Sequence, residues 1–432
     1  MNSILCITSE PALLERVMPL LRGCADPGAE VPHARTVEEA MESLNFALPE
    51  LAFLSFSDPS IDGFQLLAKI LEDPWLHFAS IIAWCADHDV NGRLEALRGA
   101  NIVVSLVDDE LERYLPKILD IIVKNRRILF QRGFGEDLLR NLSGSFELGN
   151  DILEANCYAN LLCNFLYNTD RIDEDGKRGL NIALMELLIN AIEHGNCGIS
   201  YEEKSAWLED GRLMRDLIAQ KSLDPAIGQR RALCEYTITP TRSKFTITDQ
   251  GAGFDWRSLE KARSAENVQR LHGRGIRMTR RYTQNLRYNE PGNQVTFEIE
   301  HDDQCSNTIP ALFGQATLTP VSAGTTIFHE GERGDFLYYI VKGRYEVSVA
   351  GKVVSELTPD DMLMGEMSFL VNQQRSATVR AMTDGALIRL SKREFVQAIK
   401  ENPHYALFLA RQLAQRLQRR NMQVSNAQES AL

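Results

Sequence analysis

The sequence predicts a multidomain protein in which α/β domains precede an all-β domain. Up to about residue 130, short apolar runs alternate with helical patterns, as expected for a parallel sheet with helices on both faces. Between about 181 and 300, a polar-faced helix precedes alternating strands and glycine-rich turns. After about 303, short β-type segments are separated by turn signals, which indicates a roll or barrel. At 432 residues, the chain is also too long for one ordinary core.

Composition excludes several classes of protein. With 44% hydrophobic and 25% charged residues, the chain has no compositional sign of disorder. A net charge of −12 argues against nonspecific binding to nucleic-acid phosphates, which requires clustered Lys and Arg. The first residues lack the basic and apolar regions of a signal peptide, and no apolar run approaches eighteen residues. The eight cysteines form no CxxC pair. We therefore expect a cytoplasmic protein with reduced cysteines, without a membrane span, a disulfide framework or a zinc site.

The first 125 residues form the first predicted domain. The expected strands are the apolar runs at 4–7, 51–56, 81–86 and 102–107. The segment LSFSDPSIDG, in which Pro59 and the Asp62-Gly63 turn follow a strand, resembles a response-regulator receiver domain. That resemblance implies a flavodoxin-like parallel sheet.

The positions that carry phosphorylation chemistry in receivers hold other side chains here. Ser55 stands where a receiver has its phospho-accepting aspartate, and Thr8 and Ser9 stand where it has an acidic pair, with only Glu10 nearby. Cys85 replaces the switch hydroxyl residue, and Ser105 or Leu106 replaces the lysine. Without carboxylates, this site has nothing to hold Mg²⁺ or to attack a phosphoryl donor. We interpret residues 1–125 as a pseudo-receiver that serves interaction or dimerisation; the alternative is an unusual receiver that uses Ser55.

Residues 108–130 have an amphipathic helical pattern with a kink or break expected at Pro116. Two interpretations stay open: this helix packs against the sheet, or it continues into a dimer-forming linker. We assign 126–145 to a helical linker. A homodimer would form through the pseudo-receiver or through helices at 108–130 and 403–424.

The centre of the chain is organised around the helical stretch NIALMELLINAIEHGN at 181–196. Glu186 and Asn190 are four residues apart, so they share one face of a helix whose other sides are apolar. A strand then delivers Asp249 into a turn that contains Gly251 and Gly253, and Gly273 and Gly275 precede a helix. Glycines before a helix let backbone N–H groups approach phosphate oxygens. A hairpin with a Pro-Gly-Asn turn follows.

Together these motifs resemble the GHKL (histidine-kinase-like) ATPases, most closely the anti-sigma factor serine kinases, over residues 146–302. The resemblance implies an α/β sandwich that binds ATP and Mg²⁺, with Glu186 as general base and Asn190 as Mg²⁺ ligand. It also implies that Asp249 accepts a hydrogen bond from the adenine amino group, that Gly251 and Gly253 shape the turn, and that Gly273 and Gly275 form the phosphate lid.

Two features depart from the simplest members of this family or allow another interpretation. Between Gly198 and about Arg231 the chain has a charged helical insertion, which we expect to form an arm near the site. His194 lies inside the nucleotide-binding helix, and no His-Glu/Asp-x-x-Pro sequence precedes residue 181. His194 is therefore not expected to be a phosphoacceptor, which weakens the alternative of a histidine kinase.

The last predicted domain, 303–432, contains the segment MGEMSFLVNQQRSATVRA. Here Gly365 and Glu366 open a short helix, and Arg375, Ser376 and Ala377 follow; N–H groups and an arginine can hold one phosphodiester while a carboxylate takes a ribose hydroxyl. The segment resembles the phosphate-binding cassette of cyclic-nucleotide-binding domains, in a form typical of the bacterial catabolite-activator type. This implies a β-roll with helices that binds cyclic AMP through these five residues. A ligand-free roll is the alternative.

Residues 403–424 predict a further helix that ends in the basic run RLQRR, which indicates a solvated helix end rather than a nucleic-acid patch. We expect no DNA-binding domain. The sequence predicts an MgATP-dependent protein serine/threonine kinase regulated by a cyclic nucleotide. By resemblance, its partner is a STAS-domain anti-sigma-factor antagonist or a sigma factor. The main alternative is a non-catalytic switch, gated by ATP and cyclic nucleotide, that sequesters its partner in a two-component-like pathway.

Overall fold

The computed structural model describes most of the chain. The described residues are 1, 3–73, 76, 79–95, 101–126, 128, 142–169, 171–257, 279–301, 317–407, 409–410 and 413–414. Among these residues, no helix combines the length and the apolar character that a membrane crossing requires.

The N-terminal domain contains a five-stranded parallel sheet with the strand order β2-β1-β3-β4-β5. Its strands are β1 (Ile4–Ile7), β2 (His33–Ala34), β3 (Leu51–Ser55), β4 (Ser80–Cys85) and β5 (Ile102–Val107). Its helices are α1 (Pro11–Cys24), α2 (Val37–Ala47), α3 (Gly63–Glu72), α4 (His88–Glu95) and α5 (Leu111–Lys124). The apolar runs of β1, β3 and β4 are buried throughout, as expected for strands covered on both faces. The predicted parallel sheet is confirmed, and its strand order is one found in doubly wound folds.

Helix α5 differs in part from its sequence prediction. A 3₁₀ turn, Asp108–Glu110, precedes it, and the helix then continues through Pro116 to Lys124, so the chain does not break at the proline. Leu115, Ile118 and Ile122 are buried on one side of this helix. The side that the sequence pattern marked as apolar therefore packs into the core.

The central domain contains a five-stranded antiparallel sheet with the order β6-β7-β8-β10-β9. Its strands are β6 (Leu142–Leu148), β7 (Ala232–Ile238), β8 (Arg242–Thr248), β9 (Gln284–Tyr288) and β10 (Gln294–Glu300). Its long helices are α6 (Ile152–Asn168) and α7 (Glu174–Asn190), and α7 continues into a π-helical turn, Ala191–Asn196. Because β6 pairs with β7, the sheet begins inside the segment predicted as a helical linker, and that prediction was wrong for 142–145.

The insertion after the π-helical turn is helical, as predicted. It contains α8 (Tyr201–Glu209), α9 (Met214–Lys221) and α10 (Pro225–Gly228). In the text below, residues 198–231 are called the arm.

The C-terminal domain is built from two four-stranded sheets with the orders β11-β18-β13-β16 and β12-β17-β14-β15. The strands are β11 (Leu318–Val321), β12 (Thr326–Phe328), β13 (Phe336–Lys342), β14 (Tyr345–Val349), β15 (Lys352–Leu357), β16 (Leu363–Met364), β17 (Thr378–Ala381) and β18 (Gly385–Ser391). Two helices, α11 (Glu366–Val371) and α12 (Lys392–Glu401), accompany them. The described part of the predicted helix at 403–424 is helical at 404–407, 409–410 and 413–414, and the remainder lies outside the described residues.

The first two domains share one hydrophobic core. One continuous cluster of buried side chains includes Val17 and Ile118 from the N-terminal domain and Phe146, Leu162 and Leu184 from the central domain. The C-terminal domain has its own core, divided between the two sheets. The N-terminal and central domains are therefore packed against each other, and helix α7 contributes to their shared core.

Candidate functional site

The first candidate site lies at the C-terminal half of α7. Asp173 caps this helix by accepting a hydrogen bond from the Gly176 N–H, which fixes where it begins. Glu186 and Asn190 are both half-buried and lie one helical turn apart. In the part of the chain that the structure describes, neither side chain has a hydrogen-bond partner. A carboxylate and an amide are thus available on one helix face.

Asp249 follows the end of β8. Its N–H donates to the Asn293 carbonyl oxygen at 2.9 Å, and its carboxylate Oδ1 accepts the Gly251 N–H at 2.8 Å. Burial raises the pKa of the Asp249 carboxyl, while the Gly251 N–H and the Arg230 charge act in the opposite direction. The second carboxylate oxygen has no hydrogen-bond partner among the described residues. Asp249 therefore keeps an acceptor free for a ligand donor.

Glycines bring the two elements together. A Cβ atom on Gly195 would collide with the Asp249 carboxyl group, and one on Gly251 would collide with the Gly195 carbonyl oxygen. Gly253 has φ +78°, and a Cβ there would collide with the Pro291 carbonyl oxygen. The π-helical turn and the Asp249 loop are therefore in backbone contact, at a closeness that only glycine permits.

Three residues at this junction were missed by the sequence analysis: Gly195, Asn196 and Asn293. Asn196 accepts the Gln250 N–H at 2.9 Å, and Asn293 donates to the Asp249 carbonyl oxygen at 3.1 Å. The only sequence signal is that Gly195 and Asn196 end the same helical stretch as Glu186. Their role depends on how distant strands of the sheet pair, which the local sequence pattern does not show.

The arm contacts the end of the site helix. Glu193, which is 2% exposed, forms an ion pair with Lys204 of α8, and Arg230 donates to the Asn196 carbonyl oxygen at 2.7 Å. The Tyr201 ring lies 4.5 Å from the His194 ring, centroid to centroid. Burial, followed by the negative charges of Glu186 and Glu193, raises the pKa of the Tyr201 phenol. The arm therefore borders the site, as expected from the sequence.

His194 has a structural contact inside the protein. Its Nδ1 atom lies 2.6 Å from the Ile199 carbonyl oxygen, at the start of the arm. Gly273 and Gly275, the predicted phosphate lid, lie outside the described residues. The part of this candidate site that the structure brings together is thus Glu186, Asn190, Asp249, Gly251 and Gly253.

The second candidate site lies in the C-terminal domain, where β16 leads into α11. Gly365 adopts a left-handed conformation, with φ +76°, and a Cβ there would collide with the Arg375 guanidinium. Glu366 begins the helix and is 8% exposed. Ser376 is exposed beside the site, and Ala377 packs against the β-roll core. All five predicted residues lie in or directly beside one cradle.

Arg375 is the central residue of this cradle. It is 4% exposed, and its Nη1 atom donates to the Gly365 carbonyl oxygen at 2.8 Å and to Ser368 Oγ at 2.9 Å. Its Nη2 atom donates to the Phe336 carbonyl oxygen, and the guanidinium carbon lies 4.2 Å from the centroid of the Phe328 ring. The Nε atom is buried and has no hydrogen-bond partner among the residues that the structure describes. Burial lowers the pKa of this guanidinium. A buried cation with an unsatisfied donor fits an anionic ligand.

The N-terminal domain holds a different arrangement at the carboxyl edge of its sheet. Ser55 is fully buried, and its Oγ has no hydrogen-bond partner within the described part of the chain. Asp58, which the sequence analysis missed, accepts hydrogen bonds from Thr8 Oγ1 at 2.9 Å and Ser9 Oγ at 2.6 Å. Burial acts to raise the pKa of Asp58, but hydrogen bonds from Ser9, Ser60 and Thr8 hold that pKa below its ordinary value. The carboxylate of Asp58 is therefore hydrogen-bonded to the Thr8–Ser9 loop.

Comparison with known families matches two parts of the chain. Residues 161–299 match the model of the histidine kinase-like ATPase domain, and residues 318–402 match that of the cyclic nucleotide-binding domain. Each family covers less than half of the chain.

Two curated proteins are similar to part of this sequence. The Pycsar effector protein XpPycTIR of Xanthomonas perforans is 36% identical over 119 residues, which make up 27% of this chain and 39% of that protein. The cAMP-activated global transcriptional regulator CRP of Salmonella typhimurium is 39% identical over 129 residues, 28% of this chain and 61% of that protein. The chain thus spans about two fifths to three fifths of the length of these relatives.

Among solved structures, the catabolite activator protein of Thermus thermophilus matches with 26% identity and a TM-score of 0.24, covering 27% of this chain and 62% of that one. The two matched families coincide with the two cradles described above. The chain therefore carries a histidine kinase-like ATPase domain in its centre and a cyclic nucleotide-binding domain toward its C-terminus.

Proposed function

We propose that the protein is an MgATP-dependent protein serine/threonine kinase of the anti-sigma factor type, regulated by a cyclic nucleotide. The observation that carries this proposal is the position of Glu186. Its half-buried carboxylate has no hydrogen-bond partner among the described residues, and it lies one turn before Asn190 in the matched ATPase domain. A passive nucleotide-binding fold does not require a free base at this place.

The residues present fit a bound ATP. The free oxygen of Asp249 would accept a hydrogen bond from an exocyclic amino group such as that of adenine. Within the described residues, no group of three His, Cys, Asp or Glu side chains could hold a metal ion. Asn190 would therefore share Mg²⁺ with the phosphates of ATP, as is usual for this ion.

In this mechanism Glu186 accepts the proton of a serine or threonine hydroxyl on the partner protein. MgATP would supply the phosphoryl group and neutralise the charge that develops on it. Tyr201, at the start of the arm, is near enough to Glu186 that, after burial, the charge of Glu186 also raises the pKa of the Tyr201 phenol. The proposed partner is a STAS-domain anti-sigma-factor antagonist, with a sigma factor as the second candidate.

The proposed regulator is cyclic AMP. Arg375 would donate to the cyclic phosphate, and Glu366 would accept from the ribose hydroxyl. Support comes from the buried unsatisfied Nε atom of Arg375 and from a relative that is named as cAMP-activated. The N-terminal domain acts in this scheme as a pseudo-receiver, because Asp58 occupies the loop where a receiver needs its acidic pair.

The test measures transfer of label from ATP to a STAS-domain candidate, with and without cyclic AMP. The wild type should transfer label, and Glu186→Gln should transfer at least a hundredfold less while binding ATP normally. Glu209→Gln is the matched control, since Glu209 is an exposed glutamate of the arm. ATP binding without transfer by the wild type would favour the non-catalytic switch, and absence of ATP binding would dismiss both. A transfer rate that cyclic AMP leaves unchanged would remove the regulatory part of the proposal.

A further inference from the structure

Helix α6 carries a row of asparagines where helices usually carry apolar or charged residues. Asn156, Asn160 and Asn164 are spaced four apart, so they lie along one face of the helix. This face is turned toward β5, the outer strand of the N-terminal parallel sheet. Amide side chains on such a face offer donors to an exposed strand edge, which otherwise leaves backbone carbonyls unpaired.

Two of these asparagines bind the strand. Asn160 Nδ2 donates to the Val103 carbonyl oxygen at 3.0 Å, and Asn164 Nδ2 donates to the Ile102 carbonyl oxygen at 3.1 Å. At the start of the same helix, Lys117 of α5 forms ion pairs with Asp151 and Glu154. The N-terminal domain therefore holds α6 at its first turn and along its middle.

Asn160 differs from Asn164 in two respects. Its Nδ2 atom also donates to Asn156 Oδ1 of the same helix, at 2.7 Å. Its Oδ1 atom also accepts a hydrogen bond from Asn181 Nδ2, at 2.8 Å, and Asn181 lies on α7. Asn181 is five residues before Glu186 and nine before Asn190 on the same continuous helix. A chain of hydrogen bonds thus runs from the Val103 carbonyl through Asn160 to the helix that carries the nucleotide-site side chains.

We propose that Asn160 is a positioning residue that fixes α7 against the edge strand of the N-terminal sheet, so that the N-terminal domain sets the geometry of Glu186 and Asn190. A helix moves as a rigid element, and a shift of about 1 Å at a catalytic group can reduce a rate a hundredfold. The amide link acts at the half of α7 that precedes the site. This gives the N-terminal domain a role that requires no phosphorylation.

The pair Asn160 and Asn164 supplies a matched test in the full-length protein. Asn164→Ala removes one hydrogen bond to the edge strand. Asn160→Ala removes one such bond, a hydrogen bond to Asn156 within α6, and the link to α7. We expect Asn160→Ala to weaken ATP binding at least fivefold, and Asn164→Ala to change it less than twofold. Asn160→Ala should lose at least as much thermal stability as Asn164→Ala. Each leaves one strand carbonyl unpaired, and Asn160→Ala also removes the bonds to Asn156 and Asn181.

A second variant guards against loss of folding. Asn181→Ala breaks the same link from the α7 side without altering the contacts to β5. The double variant Asn160→Ala/Asn181→Ala should bind ATP no more weakly than the weaker of the two single variants, because both remove one interaction. Equal ATP affinity in Asn160→Ala and Asn164→Ala, or additive losses in the double variant, would overturn the proposal.

Amide hydrogen exchange over 183–190 provides a readout that does not depend on ATP. Exchange should be faster in Asn160→Ala than in Asn164→Ala, and equal rates would contradict the positioning role. The ATP readout of this inference rests on the proposed function, whereas hydrogen exchange does not. If the wild type binds no ATP, the proposed function fails and the exchange rates still decide whether Asn160 positions α7.

Discussion

The two nucleotide sites of this protein are built in opposite ways. In the ATPase domain, the candidate side chains Glu186 and Asn190 have no hydrogen-bond partner among the described residues, and Gly195, Gly251 and Gly253 permit close backbone contacts at the candidate site. In the cyclic-nucleotide domain, the key side chain is Arg375, which is almost fully buried and already bound to three acceptors of the protein.

This contrast predicts different responses to a ligand. The proposed ATP site would receive its ligand without giving up hydrogen bonds of Glu186 or Asn190 to described residues, so we expect its affinity to depend on backbone shape. In the proposed cyclic-nucleotide site, the Nε atom of Arg375 can donate to a phosphate directly, but a two-pronged contact through Nη1 or Nη2 would exchange bonds to Gly365, Ser368 or Phe336 and would couple binding to a local rearrangement. Such an exchange is a suitable basis for a regulatory signal, because the ligand binds one arrangement of the cradle better than the other.

The largest effect is expected for Gly253→Ala. The new Cβ would collide with the Pro291 carbonyl oxygen, and the loop that carries Asp249 would have to move. ATP binding, measured by calorimetry, should fall at least a hundredfold. Gly211→Ala is the control, because Gly211 also has a positive φ (+74°) but no atom lies within 4 Å of the position that its new Cβ would take. A similar loss in both variants would mean that backbone strain, and not the shape of the cradle, controls the site.

Arg375→Lys should have the next largest effect. Lysine keeps the positive charge but loses the planar fork of donors that matches a phosphate, so cyclic AMP affinity should fall about a hundredfold. ATP affinity in the absence of cyclic AMP should stay within twofold of the wild type. Arg380→Lys serves as the control, since Arg380 is an exposed arginine of the same domain that donates to the Gly324 carbonyl oxygen. Unchanged cyclic AMP binding in Arg375→Lys would remove Arg375 from the site.

The placement of some candidate side chains could be predicted from local sequence, while their roles remain predictions. Glu186 and Asn190 share a helix face because of their spacing alone, and Gly365 and Arg375 are brought together by a short helix and one turn. The parallel sheet was predictable because its strands are continuous apolar runs. The specific receiver and anti-sigma-kinase assignments remain predictions.

The parts that sequence reasoning missed depend on contacts between distant segments. Gly195 matters because Asp249 lies against it, 54 positions further along the chain, and no local pattern records that approach. Asp58 accepts a hydrogen bond from Ser9, 49 residues earlier in the chain. The sequence showed that the receiver's acidic pair is missing at Thr8 and Ser9, but not that Asp58 binds there instead. Strand β6 looked like a continuation of a helical linker because its partner β7 lies more than eighty residues away.

A smaller effect should follow from Lys204→Met, which tests whether the ATP site depends on the arm. Glu193 is 2% exposed, so removing Lys204 leaves a buried carboxylate without its ion-pair partner, at a cost of roughly 2 kcal/mol in the free energy of unfolding. ATP affinity should also fall a few-fold, because Glu193 lies in the turn that contacts Asp249.

The matched control is Lys221→Met. Lys221 is as exposed as Lys204, at 30%, but its partner Glu203 is itself 35% exposed, so the loss should stay below about 1 kcal/mol. Cyclic AMP binding should not change in either variant. Equal destabilisation by the two substitutions, measured by denaturant unfolding, would mean that the Glu193 pair has no special role.

The last prediction concerns pH, which should change ligand affinity differently at the two proposed sites because their charged groups differ. Burial raises the pKa of Asp249, so as pH falls this carboxylate takes up its proton, and stops accepting from adenine, at a higher pH than an ordinary aspartate. The ratio of wild-type to Asp249→Asn affinity for ATP should therefore decline toward acid, by at most about tenfold per pH unit. The phosphates of ATP titrate equally with both proteins, so this ratio isolates Asp249. Cyclic AMP affinity should stay level between pH 8 and about 5, because the guanidinium of Arg375 and the phosphodiester keep their charges there. A ratio that is constant with pH would show that Asp249 does not act as a charged acceptor.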